Sequence, residues 1–126
     1  MSKTDIVRAF IGHWESKNVD AIIDAFTDDP FYHNIPMDPL TSKEAIRKFI
    51  EPFIEPVTEV RWEVLCIAEN SDGAVLTERV DAFLFGDKTV SLPVMGTFEL
   101  VGGKISKWRD YFDMDDFERQ VAALQD

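Results

Sequence analysis

Three groups of residues stand out because their side chains share a face and could act together on one small molecule. In the run AVLTERVDAFLF, Val75, Thr77, Arg79, Asp81, Phe83 and Phe85 fall on one side of a strand. A guanidinium and a carboxylate therefore point the same way among apolar neighbours. In KISKWRDYFD, Asp110 shares its face with Trp108 and Phe112, while Lys107, Arg109 and Tyr111 take the other. Charges in apolar company are costly unless they are paired. Two carboxyl groups in opposite protonation states can serve as general acid and general base. Tyr32 and Asn34, again two apart, add a phenol and a carboxamide able to hydrogen-bond one small molecule.

Spacing alone leaves a plainer reading open. Arg79 and Asp81 could pair at an exposed sheet edge, with Asp110 a turn former at a strand end, since ion pairs often have only a structural role. Tyr32 could be a core aromatic with a satisfied hydroxyl, and Asn34 a turn residue ahead of Pro36.

Composition narrows the partners. The chain has 24 acidic and 13 basic side chains, a formal charge of -11, and so repels nucleic acid and anionic membrane surfaces. A neutral or apolar small molecule is the expected substrate. His13 and His33 are too few and too poorly placed for a metal site. The sequence has no Gly-rich phosphate loop, Ser-centred elbow or Cys pair, and GTFELVGGK reads as a strand and hairpin turn. Neither a metal nor a cofactor is expected. The single cysteine, Cys66, fits a reducing compartment, and charges interrupt the apolar residues of MSKTDIVRAFIGHW before any signal core forms. A cytoplasmic protein is expected.

Ten Phe and three Trp in a chain that is 45% hydrophobic provide for a real core, and 126 residues suit one domain spanning 1–126. Helical spacing of Ile6, Phe10, Ile11 and Trp14 predicts a helix over 5–16 capped by Thr4. Asn18 caps a second over 20–26, bearing Ile22, Ala25 and Phe26. A short strand, Phe31 to Asn34, leads to the IPMDPL loop. Thr41 or Ser42 then caps a third helix carrying Ile46, Phe49, Ile50 and Phe53, ended by Pro52 and Pro56. Beyond it the period changes to two. VRWEVLCIAE, AVLTERVDAFLF, TVSLPVMGTFEL and KISKWRDYFD, separated by SDG, GDK and VGG turns, read as an antiparallel meander, with Pro93 and Gly96 as bend or bulge positions. A short closing helix starts from Asp113. The fold class is α+β, with N-terminal helices packed on a highly curved mixed or antiparallel sheet around a cone-like pocket.

YHN at Tyr32–Asn34, TERVD at Thr77–Asp81 and GKISKWRDYFD at Gly103–Asp113 together resemble the limonene-1,2-epoxide hydrolase family, within the nuclear transport factor 2-like or SnoaL-like superfamily. The match in order and spacing covers nearly the whole chain, which looks trimmed at its N-terminus beside longer members. The resemblance implies Asp110 as general base, Asp81 as general acid, Arg79 bridging them, and Tyr32 and Asn34 holding the attacking water. It also implies a cofactor-free hydrolase that opens a neutral lipophilic epoxide to a vicinal diol, and a homodimer paired through the outer sheet face. Met37, Leu40, Leu92 and Met95 are expected to line the pocket. The same fold carries polyketide cyclases, isomerases, dehydratases and non-catalytic binding modules, which remain the alternatives.

Overall fold

The computed structural model describes residues 1–125; Asp126, the last residue of the domain expected over 1–126, lies outside them. The chain opens with α1 (Lys3–Glu15), started by a capping box in which Ser2 and Asp5 satisfy each other's backbone N–H groups. Ser2 therefore caps in place of the expected Thr4. The buried stripe is Val7, Phe10, Ile11 and Trp14, with Ile6 only half-buried. The second helix, α2 (Val19–Asp24), is capped by Asn18 as its sequence predicts but stops two residues early. Phe26, expected at the helix end, instead begins β1 (Phe26–Asn34), where its ring is buried as part of the sheet.

Helix α3 (Lys43–Ile54) is capped by Ser42 and buries Ile46, Ile50 and Ile54 along one stripe. Pro52 lies inside it rather than ending it. The ring sits on the exposed side, one turn after exposed Lys48, so the carbonyl it leaves unpaired can be met by water. The meander follows as β2 (Glu59–Glu69), β3 (Val75–Phe85), β4 (Lys88–Val101) and β5 (Lys104–Tyr111), and α4 (Met114–Ala123) closes the chain from its cap Asp113.

The five strands form one sheet in the order β1-β5-β4-β3-β2. All pairings within the meander are antiparallel, whereas β1 lies parallel to β5, so the sheet is mixed. Register breaks fall between Val64 and Cys66 on β2, between Glu99 and Leu100 on β4, and between Phe26 and Phe31 on β1. No break falls at Pro93 or Gly96, which pair in continuous register with Val80 and Thr77, so neither is a bulge. Helix α4 covers the first half of β4, which β5 does not reach. The Gln120 carboxamide accepts from Ser91 N–H and donates to Ser91 C=O, both at 2.8 Å.

The core is aromatic and centres on Trp108, which is fully buried. Phe10 and Trp14 meet it edge-on, while Phe98 and Tyr32 stack on it at 5.3 and 4.3 Å. Among the described residues no helix is long and apolar enough to cross a membrane.

Phe10 touches Phe26, Phe98 and Trp108 and is almost wholly buried, so it ties α1 to three strands. Phe10→Ala should cost about 3–5 kcal/mol of stability, read from the urea midpoint, because the rigid rings around it close poorly on the void. A loss below about 1 kcal/mol would mean that α1 is not anchored by this ring.

Candidate active site

The sheet register brings the three motifs together. Tyr32 lies beside Trp108 and Asn34 beside Asp110 on the β1–β5 pair; Asp110 lies beside Gly96 on β4, and Gly96 beside Thr77 on β3. A row of four positions, Thr77, Gly96, Asp110 and Asn34, thus crosses four strands on the cavity side, with Arg79 and Asp81 following Thr77 along β3. Paired residues share a face, so strand pairing alone decides which side chains meet.

Arg79 is fully buried, and Asp81 and Asp110 are each 4% exposed. The guanidinium donates from Nε to Asp81 Oδ1 at 3.0 Å and from Nη2 to Asp81 Oδ2 at 2.8 Å. The same Nη2 reaches Asp110 Oδ2 at 2.8 Å, and Nη1 reaches Asp110 Oδ1 at 3.2 Å and Thr77 Oγ1 at 3.0 Å. Trp108 Nε1 donates to Asp110 Oδ1 at 2.8 Å, and the Trp62 ring lies 4.9 Å from the guanidinium carbon. Arg79 and Asp81 therefore do not form a pair at an exposed edge, and Asp110 is not a turn residue. The two carboxyl groups share one buried cation.

Two carboxylates against one guanidinium would leave a net negative charge in a site with little water. Burial pushes the Asp81 carboxyl up to about 6, against the hydrogen bonds and charge of Arg79, and the neighbouring Asp110 charge adds to the rise. For Arg79, burial opposes the cation, but Asp110 and Asp81 outweigh it and hold the guanidinium protonated well above its ordinary range. Tyr32 is also raised, first by burial and then by the Asp110 charge, so its phenol stays protonated. Its hydroxyl donates to Asn34 Oδ1 at 3.4 Å.

These groups open onto a cavity of about 140 Å³. One water needs only about 10–15 Å³ measured in that way, so there is space for a small organic molecule beside a water. Tyr32, Asn34, Asp81 and Asp110 supply the polar wall, and Phe49, Phe53, Phe83, Val94, Phe112 and Phe117 much of the apolar one. Of the four residues expected to line the pocket, Met37 and Leu92 do, and Leu40 does not. Met95 points away: paired with Glu78 and Tyr111 on the outer face, it is half-exposed. Among the described residues no three His, Cys, Asp or Glu side chains gather as a metal-binding group. What the arrangement can do is move protons at a buried acid–base pair.

Three participants were not singled out for the site from the sequence. Trp108 and Thr77 were legible only as same-face neighbours of Asp110 and Arg79, and nothing in their types marked them as hydrogen-bonding partners of the charged pair. Gly96 read as a bend because its partners across two strands were unknown.

Similarity to known proteins points the same way. The family description "Limonene-1,2-epoxide hydrolase catalytic domain" matches residues 1–123. Epoxide hydrolase EphG of Mycobacterium tuberculosis is 33% identical over 111 residues, 87% of this chain and 72% of that protein. The structure of an M. tuberculosis epoxide hydrolase of the limonene-1,2-epoxide hydrolase-like kind superposes with a TM-score of 0.80 at 27% identity, covering 96% of this chain and 90% of that one. A SnoaL-like protein structure from Shewanella putrefaciens shares the fold alone, with a TM-score of 0.81 at 14% identity and 96% of each chain covered. A family match over residues 1–123, together with a relative 33% identical across 87% of the chain, places this chain in the limonene-1,2-epoxide hydrolase family.

Proposed function

We propose that this protein adds water to a neutral, lipophilic epoxide in one step to give a vicinal diol, with Asp110 as general base and Asp81 as general acid. The observation that carries this reading is the single Arg79 nitrogen that donates to both carboxyl groups at 2.8 Å, beside the Tyr32–Asn34 pair and an apolar cavity. An epoxide needs a nucleophile at carbon and a proton at oxygen, and the two carboxyl groups supply one function each. Asn34 and Tyr32 are placed to hold a water beside Asp110. As the water oxygen bonds to a ring carbon, one of its protons passes to Asp110, the carbon–oxygen bond of the ring breaks, and the Asp81 proton goes to the departing oxygen. The next cycle begins once the proton gained by Asp110 is lost and Asp81 is protonated again. Arg79 keeps the carboxyl groups in register throughout, and the aromatic wall keeps bulk water away from the reaction.

A cyclase or isomerase of this fold would use Asp110 as base but would have no need of a water held by Tyr32 and Asn34. Purified protein incubated with a panel of terpene, styrene, cyclohexene and steroid epoxides should release diols. In a single turnover with excess enzyme in heavy-oxygen water, the incorporated oxygen should come wholly from solvent. Unlabelled oxygen in that first diol would make a carboxylate the nucleophile and end the general-base reading. Asp110→Asn and Asp81→Asn should each lower kcat by about 10²–10⁴-fold in a folded protein.

The state of Asp81 sets a pH dependence. Its native value, about 6, lies above its ordinary 3.8, so the acid form is increasingly lost as the pH rises through about 6. kcat/KM should fall tenfold per pH unit on that alkaline limb. The same shift has a stability consequence of fixed sign: the raised group stabilises the native state fully below 3.8 and loses that contribution as the pH rises through about 6. The wild type should therefore weaken relative to Asp81→Asn across that interval, measured by urea unfolding at each pH. A flat difference would place Asp81 in water.

A homodimer paired through the outer sheet face belongs to the same reading. Leu76, Met95 and Tyr111 are exposed there, on the face opposite the cavity. Sedimentation should report a dimer that Met95→Glu weakens, and a monomeric wild type at high concentration would remove it.

A further inference from the structure

Arg79 and Asp110 lie on β3 and β5, with β4 between them. Neighbouring strands run about 4.8 Å apart, so the bridge between these residues spans two strand spacings, about 10 Å, across the sheet face. It passes over Gly96, which the register sets between Thr77 and Asp110. A side-chain carbon at position 96 would lie 2.6 Å from Arg79 Nη1 and 3.2 Å from Thr77 Oγ1, and nearer still to Asp110 Oδ1, where ordinary contact begins at 3.4 Å. The neighbours have little room to give. Arg79 is held by five hydrogen bonds to Thr77, Asp81 and Asp110, and Asp110 Oδ1 is also held by Trp108 at 2.8 Å. The backbone gives no other reason for a glycine: Gly96 is not among the positive-φ glycines, and the register runs through it unbroken.

We propose that Gly96 is a positioning residue for the acid–base pair, its missing side chain being the gap through which Arg79 bridges to Asp110. For turnover this rests on the catalytic reading above; for packing it does not. Any side chain at 96 must push the Asp110 carboxylate or the guanidinium out of place. Displacement of a reacting group by about 1 Å costs on the order of 10² in rate. The apolar wall that holds the substrate is untouched.

Gly96→Ala should therefore lower kcat on the order of 100-fold with KM changed by less than about threefold. The second measurement is a urea-unfolding cycle with Asp110→Ala. In the wild-type background Gly96→Ala should lower the midpoint. In the Asp110→Ala background the nearest obstacle is gone and Arg79 has lost two of its five hydrogen bonds, so it can give way, and alanine should lower the midpoint clearly less than in the wild type. If Gly96→Ala fails to fold alone but folds with Asp110→Ala, the gap is likewise supported. Near-wild-type kcat in a folded Gly96→Ala protein, or an equal loss of stability in both backgrounds, would overturn it. Should the wild type turn over no epoxide, the catalytic reading falls by itself, and the unfolding cycle alone decides whether Gly96 is the gap.

Discussion

A guanidinium buried between two carboxyl groups is the constraint around which the rest of this molecule is arranged. Arg79 has no access to solvent, and its donors are spent on Asp81, Asp110 and Thr77. A buried ion pair gains little stability over an apolar isostere, and removal of one partner costs about 3–5 kcal/mol because the other is left uncompensated. The network is therefore weak evidence for stability and stronger evidence for a site. It keeps ionisable groups in fixed geometry at the edge of a cavity, where their charge is available to a substrate.

The same side chains also tie the site to the core. Trp108 forms the centre of the aromatic cluster and donates its indole N–H to Asp110, while Tyr32 stacks on that indole and donates to Asn34. Trp62 stacks on Trp14 of α1 and lies against the guanidinium. Arg79, Asp110, Tyr32 and Asn34 are thus carried by, or touch, rings whose positions are set by close packing. Rings in a dense core move little, so these polar groups are held by the hydrophobic contacts that hold the fold.

Much of this was legible in the chain. Period-two runs marked β2 to β5 to within two residues, and the same-face rule put Arg79 with Asp81 and Asp110 with Trp108. The errors have identifiable physical causes. The first strand was expected only from Phe31, yet Asp28, Asp29 and Pro30 also lie within β1, which pairs regularly with β5 only from Phe31 onward. Pro52 was read as a terminator, but its missing N–H falls on the wet side of α3, where the loss is tolerated. Met95 looked like a pocket residue, and strand alternation sends it outward. Gly96 is the instructive case. Its role depends on residues 19 positions back on β3 and 14 ahead on β5, and no local pattern encodes a gap defined by other side chains.

The parallel placement of β1 against β5 explains why the site has so many distant contributors. A pure meander would leave β5 as an open edge, with unpaired backbone groups beside Asp110. By pairing there, β1 closes most of that edge and delivers Tyr32 beside Trp108 and Asn34 beside Asp110 in one register. A slip of one residue would turn both side chains to the outer face, leaving the cavity beside Asp110 without its phenol and carboxamide. Closure between segments so far apart in sequence is entropically costly, and it is favoured here by the burial of Phe26 and Tyr32 against Trp108. Tyr32 thus both holds the first strand in place and, with Asn34, completes the polar wall, so the site draws on strands from both ends of the chain.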